Sequence, residues 1–138
     1  MKGVLLISHG QMAPGMKDSL TMFFGKDIPQ LETLSLTMSM GADEFGAALR
    51  EKIAEVDSGE GVVVFADVLG GTPFNQAAML LNENVDLITG MNLGMLMDYL
   101  GTREFEEFVA ADLVEKGKAA VVDAKALFSG SQDEEDDD

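Results

Sequence analysis

The chain has 138 residues, 46% of them hydrophobic, a formal net charge of -16 and no cysteine. That size suits one domain with a packed core, and the lack of cysteine excludes disulfides, thiolate metal sites and cysteine nucleophiles. So acidic a surface repels nucleic acid and anionic lipid and favours a basic protein partner.

The first apolar run is too short for the core of a signal peptide, and no later segment approaches the roughly 18 apolar residues of a membrane span, so a cytoplasmic protein is expected. Val4, Leu5, Leu6 and Ile7 are apolar without alternation, the pattern of a strand covered on both faces of a parallel sheet. Ser8, His9 and Gly10 break that pattern, and His9 is the only histidine. Residues 14–24 favour a helix, with Pro14 in its first turn and Leu20, Phe23 and Phe24 on an apolar face. Residues 34–38 alternate with period two and predict a second strand. Asp43 is placed to cap a helix to about Val56, in which Phe45, Leu49 and Ile53 recur at helical spacing.

Residues 62–66 form a second continuous apolar run, again a buried parallel strand, with Asp67 just past its end. Next comes a glycine turn, Gly70-Gly71-Thr72-Pro73, in which Thr72 reads as an N-cap and Pro73 as the first helical residue. Further elements are a strand over 85–89, a short helix over 95–100 and an amphipathic helix over 103–116 that buries Phe105, Phe108, Val109 and Leu113. Met79, Met91, Met95 and Met97 are expected as core filler. Residues 119–122 are short enough for an edge strand, on this sheet or on a partner subunit. From Ser129 onward the sequence SGSQDEEDDD is expected to be a disordered acidic tail, leaving one domain over 1–128. The alternation predicts an α/β fold: a doubly wound, mainly parallel sheet flanked by helices, with a C-terminal edge strand open to exchange between subunits.

In open α/β sheets ligands bind outside the carboxyl ends of the strands, where His9 and Asp67 both fall. Were their strands neighbours, the carboxylate would accept a hydrogen bond from one ring nitrogen and leave the other as an outward nucleophile. Gly70 and Gly71 let backbone approach a ligand, and Thr72 with the free amides of its helix forms an anion site. Histidine, carboxylate and anion cradle together point to phosphoryl transfer on the imidazole, with no metal motif and no cofactor expected. Two other readings are a histidine phosphatase, which needs more arginine than Arg50 and Arg103 and a second histidine, and a regulatory or nucleotide-binding α/β module. Against the latter, the glycine turn lacks the lysine of a Walker loop.

The runs ISHG with Ala13 and Gly15 after it, FADVLGGTPFN and ITGMNLGML, in order over about 1–125, resemble the IIA component of the mannose-family sugar phosphotransferase system. The resemblance implies a phosphocarrier whose histidine, here His9, accepts a phosphoryl group from the general phosphocarrier protein HPr. It then passes the group to a IIB component, and so indirectly to the membrane sugar permease. It assigns the pairing carboxylate to Asp67 and the hydroxyl of the turn to Thr72, and implies a homodimer in which the last strand, matched by 119–122, can be exchanged between subunits. The chain departs from mannose-specific relatives at Leu69, where a tryptophan would stand, and no IIB sequence follows, so a separate IIB partner is expected.

Overall fold

The computed structural model describes residues 1–137, with side chains to residue 130. Four strands and six helices follow one another as β1 (Gly3–His9), α1 (Met12–Phe24), β2 (Leu31–Leu36), α2 (Ala42–Val56), β3 (Val62–Ala66), α3 (Gly71–Ala78), β4 (Val85–Thr89), α4 (Leu93–Thr102), α5 (Ala110–Ala119) and α6 (Ala124–Asp137). The strands form one sheet in the order β2-β1-β3-β4, all parallel. This is the doubly wound α/β fold that the apolar runs predict, and it makes β1 and β3 central neighbours.

Strand alternation divides the core in two. Val4 and Leu6 of β1, with Val63 and Phe65 of β3, face Leu20 of α1, Leu96 and Tyr99 of α4 and Leu113 of α5. Leu5 and Ile7, with Val62, Val64 and Ala66, face Phe45 and Leu49 of α2 and Ala77 of α3. Burying a side chain such as Phe45 or Leu49 contributes about 2 kcal/mol, so both helix layers hold the sheet. Among the described residues, no helix is long and apolar enough to cross a membrane.

Several boundaries differ from the sequence reading. The second strand is Leu31–Leu36 rather than 34–38, because its parallel register runs from Val4↔Leu31 to His9↔Leu36; Met38 lies beyond it, fully exposed. The N-cap of α2 is Gly41, not Asp43, and that of α3 is Gly70, not Thr72. The helix expected over 103–116 is broken: α4 ends at Thr102, a loop follows, and α5 begins at Ala110. Arg103 pins that loop, for it is buried and its Nη2 donates to the carbonyl of Pro29. Glu104 and Glu107 would also repel at helical spacing. Phe108 still packs edge-on against Tyr99, 5.6 Å between ring centroids, but Phe105 and Val109 are exposed. Met91 and Met95 are core residues as expected, whereas Met79 is exposed.

Residues 119–122 form no strand: α5 runs to Ala119, and Val121 and Val122 lie exposed. The acidic stretch from Ser129 takes the backbone of α6 as far as Asp137, where irregular chain is expected; its last residue, Asp138, lies outside the described residues. Helix formers at Ala124, Lys125, Ala126 and Leu127 start that helix.

Candidate functional site

The register of the central pair places the site. The last β1–β3 pair is Ile7↔Ala66, after which β1 continues beside β2 alone, to His9↔Leu36. α1 and α3 leave on opposite faces from these neighbouring strand ends, which makes the β1/β3 junction the topological switch point where such sheets bind ligands. His9 emerges there on the α3 side, since it continues the face of Leu5 and Ile7.

Asp67 is the first residue past β3, and its carboxylate is spent almost wholly on the histidine. Oδ2 accepts from the backbone N–H of His9 at 2.9 Å and lies 2.9 Å from its Nδ1. The second oxygen, Oδ1, accepts from the N–H of Val68 at 3.0 Å. With Oδ2 as acceptor, Nδ1 carries the proton and Nε2 keeps its lone pair. The His9 side chain is 48% exposed and that of Asp67 only 8%, so the ring edge is reachable and its anchor is not. Burial works to raise the Asp67 carboxyl, but the bonds from His9 and Val68 outweigh it and hold the group below its ordinary 3.8.

A folded-state pKa held low contributes stability above the unfolded value and loses it as pH falls through the folded one. The stability difference between the parent and Asp67→Asn is therefore expected to shrink as pH falls below about 4. Urea titrations between about pH 5 and pH 3 would show it, and a difference that grew across that window would contradict the assignment.

Gly71 closes the site opposite Asp67. Its φ is +83°, and a Cβ there would lie 2.8 Å from His9 Cε1 and 2.9 Å from Nε2. Only glycine meets both demands. Gly70, at φ +91°, caps α3, which begins at Gly71. The first-turn amides of a helix lack partners within it, and Pro73 has none to offer, so the N–H groups of Gly71 and Thr72 are left without a partner inside α3, with Gly71 beside Nε2. Gly71→Ala is expected to push the imidazole off Asp67, seen as a mixture of ring tautomers by nitrogen-15 NMR, with the fold retained by circular dichroism. An unchanged tautomer would show that the close approach has no role.

All five residues picked from the sequence, His9, Asp67, Gly70, Gly71 and Thr72, thus come together at one switch point. The rim beyond them is apolar: Met38 and Leu36 flank the ring on the β2 side, and Val68 and Leu69 stand exposed on the β3 side. None of residues 8–12, 36–38 or 67–75 is lysine or arginine, which leaves the phosphatase reading without its cationic phosphate clamp. Sequence reasoning missed Ser8, fully buried behind the histidine, whose Oγ donates to the carbonyl of Gly10 at 3.1 Å and accepts from the N–H of Ala13 at 2.8 Å. The signal was a hydroxyl at the end of a buried strand, since a buried polar group must find partners.

The doubly wound sheet thus presents an oriented, half-exposed imidazole beside a helix N-terminus, an arrangement suited to group transfer. Residues 3–116 match the family model EIIA-man, described as the PTS (phosphotransferase system) fructose IIA component. The chain belongs to that family. It is 27% identical over 106 residues to the fructose-specific EIIA component of the PTS of Bacillus subtilis, covering 75% of this chain and 72% of that one. It is also 27% identical over 129 residues to the mannose-specific EIIAB component of Escherichia coli, where the match covers 89% of this chain but 39% of the relative. Among solved structures, the PTS IIA protein associated with the fucose utilization operon of Streptococcus pneumoniae superposes with a TM-score of 0.84 at 27% identity, covering 92% of this chain and 96% of that one. The protein is accordingly a sugar phosphotransferase-system EIIA component, a phosphotransferase that works through phosphohistidine.

Proposed function

We propose that His9 carries the phosphoryl group, on Nε2, between HPr and a IIB component during sugar uptake. The Nε2 lone pair attacks the phosphorus of phospho-HPr as the donor's bond to phosphorus breaks, and the electron pair of that bond stays with the donor. The ring becomes cationic while Nδ1–H remains donated to Asp67, whose carboxylate balances the new charge. The amides of Gly71 and Thr72, and the Thr72 hydroxyl, receive the phosphoryl oxygens. Transfer onward reverses these steps: a nucleophile of IIB attacks phosphorus and the electron pair returns to Nε2. The observation that carries this reading is the approach of Asp67 Oδ2 to both the backbone N–H and Nδ1 of His9, each at 2.9 Å, which supports Nε2 as the nitrogen left to react.

The apolar rim of Met38, Val68 and Leu69 is the docking collar for both partners, each of which must bring a reacting group to Nε2 in turn. The membrane sugar permease is reached indirectly, through IIB, and the relay operates in the cytoplasm. Residues 1–128 are the phosphotransferase domain and 129–138 its acidic tail. A homodimer is supported by the open edge of β4 and the exposed 119–122 segment, which has the length and character of a strand added to another subunit.

The test is incubation with phosphoenolpyruvate, enzyme I and HPr, followed by intact mass before and after mild acid. One phosphoryl group is expected, removed by acid and mapped to His9. An acid-stable adduct, or none, would overturn the proposal.

A further inference from the structure

Three contacts fix the backbone around His9, and one of them comes from a side chain with no part in the chemistry. On the N-terminal side, the N–H of His9 is held by Asp67. On the C-terminal side, the N–H of Gly10 donates to the carbonyl of Leu36 at 2.9 Å. The third contact is Ser8. Its Oγ donates to the Gly10 carbonyl and accepts from the N–H of Ala13, so one hydroxyl ties the residue after the histidine to the first turn of α1.

That tie replaces something the local sequence lacks. The N-cap of α1 is Gln11, whose side chain makes no capping bond. The connection from β1 to α1 is only Gly10 and Gln11, with Gly10 at φ +59°. Such a turn, short, left-handed and uncapped, has little to hold its conformation from within. Ser8 supplies the cap from three residues upstream, and strand alternation gives it access: it continues the face of Val4 and Leu6 towards α1, whereas His9 points the other way, towards α3.

From this geometry we infer that Ser8 is a positioning residue for His9, holding the strand-to-helix turn so that the imidazole meets Asp67 and Gly71 together. The inference rests on His9 being the phosphoryl carrier. Ser8 lies on the opposite face of the strand from the ring, so it acts through the Gly10 carbonyl and the His9 backbone. The tolerance is tight, because the ring edge packs against Gly71 closely enough to forbid a Cβ. A small rotation of the His9 Cα–Cβ bond would break the Asp67 bond or drive Nε2 into the α3 turn.

The experiment compares the full chain with Ser8→Ala, Ser8→Cys and Ser8→Thr, using phospho-HPr as donor. Ser8→Ala is expected to lower kcat about tenfold with KM for phospho-HPr within about twofold, since misplacement costs rate rather than docking. Nitrogen-15 NMR of the ring should show one tautomer in the parent and a mixture in Ser8→Ala. Ser8→Cys, of similar size but with a weak donor, should behave like Ser8→Ala and serves if that variant fails to fold. Ser8→Thr keeps the hydroxyl and should restore both readouts. A lower melting temperature with unchanged kcat and tautomer would make Ser8 merely structural and overturn the inference. A parent that takes no label on His9 would instead overturn the carrier assignment, and the Ser8 role with it.

Discussion

His9→Gln is expected to fold like the parent and to take up no phosphoryl group, a loss of at least about 10⁴-fold in transfer rate. The side chain is half exposed and makes one side-chain hydrogen bond, so glutamine, which is polar and of similar reach, disturbs little of the core. What it removes is the nucleophile. An amide nitrogen delocalises its lone pair into the carbonyl, whereas Nε2 of a neutral imidazole protonated at Nδ1 holds a lone pair in the ring plane. The measurement is time-resolved uptake from phospho-HPr by intact mass, with circular dichroism as the folding control. Uptake by the folded variant at even a hundredth of the parent rate would place the acceptor elsewhere.

Asp67→Asn should come next in severity, at about 10³-fold, although it changes a single atom. In the parent both carboxylate oxygens accept: Oδ2 from two groups of His9, Oδ1 from Val68. An amide has one acceptor oxygen and one donor nitrogen, so one of these sets must face a donor. If the NH2 turns to the histidine, the ring shifts its proton to Nε2, where the phosphoryl group has to bind. If it turns to Val68, two N–H groups oppose each other, at about 1–3 kcal/mol for the unmade bond. Either way the negative charge that balances the phosphorylated ring is gone. Single-turnover transfer should fall in both directions, with the tautomer mixture visible by nitrogen-15 NMR. A rate within threefold of the parent would leave Asp67 a structural residue.

The site was legible in the sequence because it depends on strand ends, and strand ends are marked by composition. Two unbroken apolar runs, at 4–7 and 62–66, give two buried parallel strands, with His9 two residues past the first and Asp67 directly past the second. That β1 and β3 are neighbours is a property of the sheet order, which no local pattern carries. The same limit explains the misreadings. Residues 103–116 have helical periodicity, yet Arg103 reaches the carbonyl of Pro29, distant in sequence, and that contact breaks the helix. The strand at 31–36 begins three residues early because its register is dictated by β1 rather than by its own alternation. Thr72 reads as a cap, but positive φ at both Gly70 and Gly71 lets the chain enter α3 two residues sooner. For Ser8 the pattern was present in the sequence, but its hydrogen-bond partners become visible only when the turn is built.

In the relay proposed for His9 the glycine turn would offer the phosphoryl group neutral donors, and the stretches that carry it, residues 8–12, 36–38 and 67–75, include neither lysine nor arginine. A charged hydrogen bond to phosphate contributes about 1.5–3 kcal/mol, and each 1.4 kcal/mol shifts an equilibrium tenfold. An arginine at this rim would therefore hold the phosphorylated form about tenfold to a hundredfold more tightly and slow its release to the next acceptor by a similar factor. A clamp strong enough to capture phosphate would turn a way-station into a trap. In the proposed relay, a cradle of neutral donors would keep the group's transfer potential close to that of the donor, so that it moves on in either direction with little driving force.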